Sequence, residues 1–299
     1  MRHLSRLLAG LALLAAGAVG AEVRATDDTG AEILLAQPAR RIVSLSPHLT
    51  EQLFAIGAGS RIVATTDFAD YPDAARTLPR VARAHSVDLE RVAAARPDLI
   101  VVWGSGFPPA TLAALHRLGV PLYVDEPSRL DGIAASMLRL GALTAAPGAA
   151  GAAAQFRASI GQLRDRYASR AEVSIFYQVW AQPLMTLGGR HVLSEGLRAC
   201  GARNVFEPLA QIAPQVSVES VLAADPQMIV TAEPGGVDRG ALAMWQRFSG
   251  QRAVAGGHLV TIDADRINRH TPRLAGELAV LCERIDAVRR ASPALKSPL

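Results

Sequence analysis

The sequence predicts an α/β fold of two lobes, each with a small, mainly parallel central sheet flanked by helices, joined by a single long rigid helix. Helical patterns alternate with short β-branched runs on both sides of an alanine-rich stretch from 149 to about 169. As a helix, that stretch would be about 30 Å long, which suits a rigid connector. A sixteen-residue unit also occurs twice, at 87–102 and 216–231, once in each half.

The repeated unit, VDLERVAAARPDLIVV and VSVESVLAADPQMIVT, is identical at eight of sixteen positions. Each copy has the pattern of a short helix, a helix-ending proline (Pro97 or Pro226) and a buried strand. Glu90 and Glu219 occupy equivalent places near the start of each predicted helix. A matched pair of exposed carboxylates suits docking to a two-fold symmetric partner. Alternatively, each glutamate only complements its helix dipole.

The chain divides into four parts after its first 21 residues. The segment VRATDDTGAEILLA predicts a hairpin turning at 28–30, and it opens an N-terminal lobe over 22–129. Within that lobe, RRIVSLSPHLTEQLFAIGAG predicts a strand and a helix starting near Thr50, and LIVVW and PLYVDEP predict further strands. The helical connector is 130–170, with one helix over 130–143 before the long one.

The C-terminal lobe, 171–290, repeats this alternation. The segment VSIFYQVW predicts a strand, HVLSEGLRAC a helix, and HLVTID a strand before a final helix from Pro272 to about Arg290. Trp245 lies in a helical pattern and is predicted to be a core residue. Residues 291–299 are predicted to be a disordered tail.

The first 21 residues are typical of a secretory signal peptide. Arg2 and Arg6 precede an apolar run over 7–19 that ends in small residues, with cleavage expected after Ala21. The run is too short to span a bilayer comfortably, and no cysteine follows the cleavage point to carry a lipid anchor. The expected location is therefore the periplasm, without a membrane anchor. The formal net charge is +4, and Arg2 and Arg6 of the signal peptide contribute half of it. The remaining charge is too small to indicate a nucleic-acid or membrane-surface partner.

The two cysteines, Cys200 and Cys282, suggest a disulfide in an exported chain. Such a bond would stabilise the fold by about 4 kcal/mol in the chain-entropy model, less any strain. Two buried, reduced thiols are the alternative.

No catalytic residue is predicted. The chain lacks a G-x-S-x-G elbow, an H-E-x-x-H pair and a phosphate-binding G-x-x-x-x-G-K-[ST] loop. The seven histidines are scattered, so no resident metal site is predicted. His48, His85 and His270 nevertheless lie in loops where open α/β sheets bind ligands, and each is either a ligand of iron or zinc or a polar loop residue.

Aromatic side chains at strand ends point to a large, mostly apolar ligand. Trp103 ends the strand LIVVW, and Trp180, with Gln178 beside it, ends a strand of the other lobe. Alternatively, Trp103 closes the top of the core. Phe68 and Tyr71 follow a further strand. The loop DRINR, which follows the strand LVTID, carries several hydrogen-bond donors; a solvated charged loop is the alternative.

The order of these motifs resembles a known family. RIVSLSPHLTEQLFAIGAG, DFADYP, VDLERVAAARPDLIVVW, CGARNVF and PQVSVESVLAADPQMIV are similar to the helical-backbone (class III, cluster A-II) substrate-binding proteins of ABC importers, most closely the members that bind vitamin B12. The resemblance extends from about Arg41 to Arg290. It implies that Glu90 and Glu219 meet arginines on the importer's transmembrane subunits, and that Cys200 and Cys282 are bonded.

The resemblance also implies a corrinoid in the cleft. Phe68 falls where those members have a tyrosine against the corrin, and Trp103 matches a cleft tryptophan. Ala84 and Ala213 stand where they have two more tryptophans. The corrinoid-contacting loop corresponds to Asp265, Arg266, Ile267, Asn268 and Arg269.

We therefore expect a non-enzymatic, monomeric receptor that holds cobalamin or a related corrinoid between its lobes and delivers it to an ABC importer. Phe68, Trp103 and Trp180 would cover the macrocycle, and Gln178 and the 265–269 loop would bind its amides. With one helix between the lobes, only small hinge motion is expected. The alternatives are a ferric siderophore or haem receptor, with His85 or His270 as axial ligand, and an exported enzyme or metal-binding protein on the same scaffold.

Overall fold

The N-terminal lobe opens with an antiparallel hairpin of β1 (Val23–Thr26) and β2 (Glu32–Leu35). A computed structural model describes residues 22–83 and 86–291, so the predicted signal peptide lies outside the described residues. Asp27 shapes the turn, because its Oδ1 accepts hydrogen bonds from the Thr29 and Ala31 amides. Its Oδ2 accepts from the Val124 amide and attaches the hairpin to the lobe. The predicted hairpin is confirmed.

Six strands form the N-lobe sheet in the order β6-β5-β4-β3-β7-β8, all parallel except the β5–β6 pair. They are β3 (Ile42–Ser44), β4 (Ile62–Thr66), β5 (Arg80–Arg83), β6 (Ser86–Val87), β7 (Leu99–Trp103) and β8 (Leu122–Asp125). The helices are α1 (Pro47–Ala55), α2 (Leu89–Ala94) and α3 (Pro109–His116). α1 begins three residues before the predicted start at Thr50, because Pro47 fits the first turn of a helix without losing a hydrogen bond.

The segment between the lobes contains α4 (Leu130–Thr144) and α5 (Ala149–Tyr167), of which the 19-residue α5 is the predicted long connector. They pack closely where a Cβ on Gly141 would lie 2.2 Å from that of Ala149. α5 ends two residues before the predicted 169. The buried side chains of α5 recur every three or four positions and form one apolar stripe: Ala149, Ala153, Phe156, Ile160, Leu163 and Tyr167.

The C-terminal lobe has a four-stranded parallel sheet in the order β12-β9-β13-β14. Its strands, with a small hairpin of β10 and β11, are β9 (Val173–Gln178), β10 (Trp180–Ala181), β11 (Leu184–Met185), β12 (Ala202–Asn204), β13 (Met228–Glu233) and β14 (Leu259–Asp263). The helices are α6 (Val192–Ala199), α7 (Val218–Ala224), α8 (Arg252–Ala255), α9 (Ala264–Ile267) and α10 (Arg273–Ala291). Ala291 ends α10 and is not part of a tail; 292–299 lie outside the described residues.

The repeated unit folds alike in both lobes, as α2 followed by β7 and as α7 followed by β13. Both helices are capped by the side chain of the preceding residue. Asp88 accepts from the Arg91 amide and Ser217 from the Ser220 amide. Glu90 and Glu219 are the second residues of their helices, and both are exposed.

A continuous apolar core crosses the whole molecule. It runs from Ile42 and Leu99 in the N lobe, through Met137 and Phe156 of the connector, to Leu278 of α10. Separate clusters cover the other face of each sheet, one around Ile100 and one around Phe176 and Trp245. Because the connector is part of this shared core, large rotations between the lobes would expose buried apolar surface. The fold class is therefore the predicted one.

The disulfide Cys200–Cys282 is present, with an S–S distance of 2.01 Å. It joins the end of α6 to the buried face of α10. Trp245 is fully buried, which confirms its core role, although it lies in a short 3₁₀ turn (Ala243–Trp245) and not in an α-helix. Between 22 and 291, apart from residues 84 and 85, no helix has the length and apolar character needed to cross a bilayer.

Candidate functional site

A cleft of about 430 Å³ lies between the two lobes. It opens where β7 and β8 of the N lobe and β9 and β13 of the C lobe end, which is where open α/β sheets bind ligands. Its wall is mostly apolar. The lining residues that the argument uses are Trp103, Glu126, Tyr177, Arg190, His191 and His270.

Trp103 is held in position by a carboxylate. Its indole Nε1 donates to Glu126 Oε1 at 3.2 Å, and Glu126 also accepts from the Ser105 amide at 2.6 Å. The edge of the indole meets His48 and His270, with ring centroids 5.8 and 6.4 Å apart. The predicted position of Trp103 in the cleft is therefore observed, with a fixed orientation that a flexible rim loop alone would not provide.

His48 lies behind the cleft and is almost wholly buried. Its Nε2 is 3.1 Å from Asp125 Oδ2, and the other carboxylate oxygen of Asp125 accepts from the Ser136 hydroxyl. Burial alone would raise the pKa of Asp125, but these hydrogen bonds and the neighbouring histidine hold it below its ordinary value. Asp125 is thus a structural anion beneath the cleft floor.

His270 faces the cleft, partly accessible to solvent, with its ring 5.5 Å from that of His48. Its carbonyl accepts from Gln52 Nε2 of α1 at 2.7 Å, which places the loop. Burial, aided by His48, lowers the pKa of His270 to about 3, so the ring is neutral.

His191 is a cleft residue that sequence reasoning missed. Its Nδ1 accepts from the Leu193 amide at 3.1 Å and so caps α6. Burial lowers the pKa of His191 to about 4. A neutral ring that accepts at Nδ1 carries its proton on Nε2, so His191 offers a donor. The signal in the sequence was its place as the first residue of the predicted helix HVLSEGLRAC, next to the position where capping residues stand.

The residues of the predicted 265–269 loop fall into two groups, those that line the cleft and those that form ion pairs elsewhere. Ile267 and Asn268 line the cleft. Arg269 donates instead to Asp70 of the N lobe at 2.6 Å and to Asp265 at 2.9 Å. Arg266 is half exposed and pairs with Asp263, on a side of the loop away from the cleft wall. Only two of the five loop residues thus reach the cleft directly.

The ion pair between Arg269 and Asp70 joins the two lobes beside the cleft. Partial burial would raise the pKa of Asp70, but the Arg269 guanidinium outweighs it and holds the pKa below its ordinary value. Asp265 and Arg269 are therefore committed to one another and to the opposite lobe, and in this arrangement they position the loop.

Gln178 does not reach the cleft. It is 1 % exposed, its Nε2 donates to the Ala241 carbonyl, and its Oε1 accepts from Trp245 Nε1 at 2.7 Å. Because both ends of the amide are used, the predicted hydrogen bond from Gln178 to a ligand is not available in this arrangement. Tyr177, whose side chain points to the opposite face of β9 because it is the adjacent strand residue, lines the cleft instead.

Phe68 and Trp180 do not line the cavity, and both side chains are strongly exposed, at 71 % and 63 %. Phe68 has a left-handed backbone, with φ of 64°. It follows the carboxyl end of β4, and Trp180 that of β9, so each lies at the same edge of its sheet as the cleft. Tyr71 packs instead under Arg273, 3.9 Å from the ring centroid. Ala213 is exposed; Ala84 and His85 lie outside the described residues.

Among residues 22–83 and 86–291, no group of three or more His, Cys, Asp or Glu side chains is arranged to hold a metal ion. Among the described residues, the polar side chains that line the cleft can instead form hydrogen bonds; they include Glu126, Arg190, His191, Asn268 and His270.

Comparison with known proteins shows where this architecture occurs. The vitamin B12-binding protein of Vibrio campbellii is 33% identical over 254 residues, covering 85% of this chain and 92% of that protein. The vitamin B12-binding protein of Vibrio cholerae is 37% identical over 247 residues, covering 82% of this chain and 88% of the relative.

Solved structures agree. The crystal structure of the periplasmic vitamin B12 binding protein BtuF of Vibrio cholerae matches 85% of this chain and 99% of its own, with a TM-score of 0.77 and 36% identity. The periplasmic heme-binding protein BhuT shares the fold, with a TM-score of 0.73 at 22% identity over 83% of this chain and 98% of BhuT. The family model for periplasmic binding proteins matches residues 42–266, and the chain belongs to that family.

Proposed function

We propose that this chain captures cobalamin or a related corrinoid in the cleft between its lobes and delivers it to an ABC importer. The observation that carries the proposal is Trp103, fixed by Glu126 at a mostly apolar cleft shared by both lobes, in a chain whose relatives are named vitamin B12-binding proteins. A flat aromatic surface and a few convergent polar groups suit a large macrocycle with peripheral amides.

The exposed aromatics support a ligand larger than the cavity itself. Phe68 and Trp180 leave much apolar surface in water in the free protein. A corrinoid that extends beyond the cavity toward the ends of β4 and β9 would cover both side chains, and burial of apolar surface is worth about 25 cal/mol per Å². We therefore retain Phe68, Trp103, Trp180, Ile267 and Asn268 as proposed contacts.

The polar cleft residues have proposed roles of their own. Asn268, with its exposed amide, and His191, with its Nε2 donor, would bind peripheral amides. Asp265 and Arg269 would act indirectly, by holding the loop through Asp70. Arg266 pairs with Asp263 and is no longer proposed as a direct contact.

Delivery depends on a second surface. Glu90 and Glu219 are exposed at equivalent helix starts in the two lobes, and each helix runs back from the carboxyl edge of its sheet. We propose that they dock on arginines of the importer's transmembrane subunits, and that the protein acts as a non-enzymatic periplasmic monomer after cleavage of residues 1–21.

Calorimetric titration of residues 22–299 tests the proposal, with cyanocobalamin, cobinamide, haem and a ferric hydroxamate in parallel. Tight one-to-one binding of the corrinoids alone is the expected result. Heat from haem alone would favour the second candidate, a haem receptor, which the cleft imidazole of His270 supports as an axial ligand. Absence of corrinoid binding would overturn the proposed ligand while leaving the fold and family unchanged.

A further inference from the structure

We propose that His270 supplies an axial nitrogen ligand to the cobalt of an incomplete corrinoid whose lower axial position holds only an exchangeable water, such as aquocobinamide. This inference rests on the proposed function and extends it to a second class of corrinoid. Complete cobalamin carries its own benzimidazole base, so it would bind without this bond.

The first step of the argument is the position of His270. It lines the cleft beside Trp103, and its backbone is anchored by the hydrogen bond from Gln52 to its carbonyl. The ring meets both Trp103 and His48 edge to face, with centroids 6.4 and 5.5 Å away. A cleft imidazole held by its backbone and by two neighbouring rings is oriented before any ligand arrives, which lowers the cost of coordination.

The second step is that the ring of His270 has no competing partner. Within the part of the chain that the structure describes, neither of its nitrogens forms a hydrogen bond or an ion pair. The two nearby histidines differ. His48 is bound to Asp125 and almost fully buried, and His191 uses Nδ1 to cap α6.

The third step concerns the atoms that are free to coordinate. A histidine that accepts at Nδ1, as His191 does, carries a proton on Nε2 and cannot ligate through that atom in its neutral form. His270 has no such constraint, so one nitrogen of this cleft-lining ring carries an uncommitted lone pair. The two cleft histidines therefore differ in chemical role: His191 is a hydrogen-bond donor, and His270 is a Lewis base.

The coordination step is balanced without another reactant. A lone pair on a ring nitrogen of His270 forms the bond to cobalt(III), and the axial water leaves as water. No electron is transferred and no proton is released from a neutral ring. Imidazole nitrogen is a common metal ligand in proteins, including in axial positions of tetrapyrroles.

Visible absorption during titration of residues 22–299 with aquocobinamide tests the inference. The bands of the bound corrinoid should move to the positions seen for aquocobinamide in excess imidazole. His270→Ala should bind with its bands unmoved, whereas His116→Ala, a change at the exposed end of α3, should keep the full band shift. Dicyanocobinamide, whose two axial positions are occupied, should bind without a shift.

The possible failures are distinguishable. If calorimetry shows aquocobinamide bound to the wild type and its bands do not move, the axial bond is absent and the proposed function stands. If no corrinoid binds, both proposals are wrong. Retention of the band shift in His270→Ala also overturns the inference. Should that variant fail to fold, His270→Gln replaces it, because its amide cannot supply an imidazole nitrogen and must abolish the shift.

Discussion

Arg273 at the start of α10 forms two parallel hydrogen bonds, each 2.6 Å long, with the carboxylate of Glu51 in α1. The glutamate side chain is 2 % exposed, and the arginine also lies over the ring of Tyr71. This contact joins the C-terminal lobe to the N-terminal lobe next to the cleft. The Arg269–Asp70 pair is a second ionic contact between the two lobes.

Breaking this contact should destabilise the protein. Glu51→Gln leaves Arg273 partly buried without its charge partner, and we expect the free energy of unfolding to fall by about 2 kcal/mol. Urea denaturation measures the change. The matched control is Asp131→Asn, which removes an exposed partner of Arg157 and should cost less than about 1 kcal/mol. Equal effects of the two substitutions would show that the lobe-joining pair has no special role.

The cleft tryptophan should dominate ligand affinity. Trp103→Ala removes the fixed aromatic surface, and we expect corrinoid affinity to fall by about 2 kcal/mol or more, roughly thirtyfold. Glu126→Ala leaves the indole in place but frees its Nε1 and the Ser105 amide, so its effect should be smaller. Calorimetry with cyanocobalamin measures both.

Glu172→Ala is the control for Glu126→Ala, because it removes an exposed carboxylate that pairs with Arg203 just before β9, at the opposite end of that strand from the cleft. The Glu172→Ala variant should bind cyanocobalamin with the same affinity as the wild type. If Trp103→Ala also binds normally, the ligand does not use the cleft wall that we describe.

Local features of the fold could be predicted from the sequence, whereas the direction of one strand side chain could not. The repeated unit predicts α2–β7 and α7–β13 correctly, because helix periodicity, a capping side chain and a proline are local signals. The sequence places Gln178 at the cleft incorrectly. Side chains alternate between the two faces of a strand, and in a strand as apolar as β9 the sequence pattern does not reveal which face meets the ligand. Tyr177 takes that face.

Other features depend on contacts that are distant in the chain. The pair of Arg269 with Asp70 joins residues separated by 199 positions, and nothing in either local segment indicates it. A charged loop such as 265–269 therefore looks like a ligand-binding loop in the sequence, while part of it ties the lobes together. His191 was missed for the same reason, since only the packing of α6 brings it to the cleft.

Charge reversal should separate docking from ligand binding. Glu90→Lys with Glu219→Lys should abolish corrinoid uptake by the importer and leave corrinoid affinity nearly unchanged, because both side chains are exposed on the starts of α2 and α7. Uptake is measured in cells that lack their own receptor, and affinity by calorimetry.

Two variants make the docking test specific. Glu283→Lys reverses an exposed carboxylate on α10 and should not reduce uptake. Glu90→Gln with Glu219→Gln avoids placing a cation at a helix start, which costs about 0.3–1 kcal/mol, and should still impair uptake. Loss of corrinoid affinity in the reversed variant would place the glutamates in the ligand site and contradict the docking proposal.

Acid should weaken the fold partly through His191. Its pKa is about 4 in the folded protein against an ordinary 6.5, so the unfolded chain binds more protons between these values. The stability that the neutral ring contributes is complete above pH 6.5 and is lost as the pH falls toward 4. Going from pH 7 to 5.5, the loss from this one group is about 1 kcal/mol. His270 adds a loss of the same sign, because its pKa is also lowered.

The substitution His191→Asn isolates the contribution of His191 to this pH dependence, because asparagine keeps an acceptor at the start of α6 and does not titrate. Urea denaturation at pH 7 and pH 5.5 should show a smaller loss of stability in the variant than in the wild type, by about 1 kcal/mol. At both pH values, carboxylates whose pKa is lowered, such as Asp125, stay ionised in the folded and in the unfolded protein. They therefore do not contribute to the difference between the variant and the wild type. Identical losses would mean that folding does not lower the pKa of His191, and would contradict the burial that we describe for its ring.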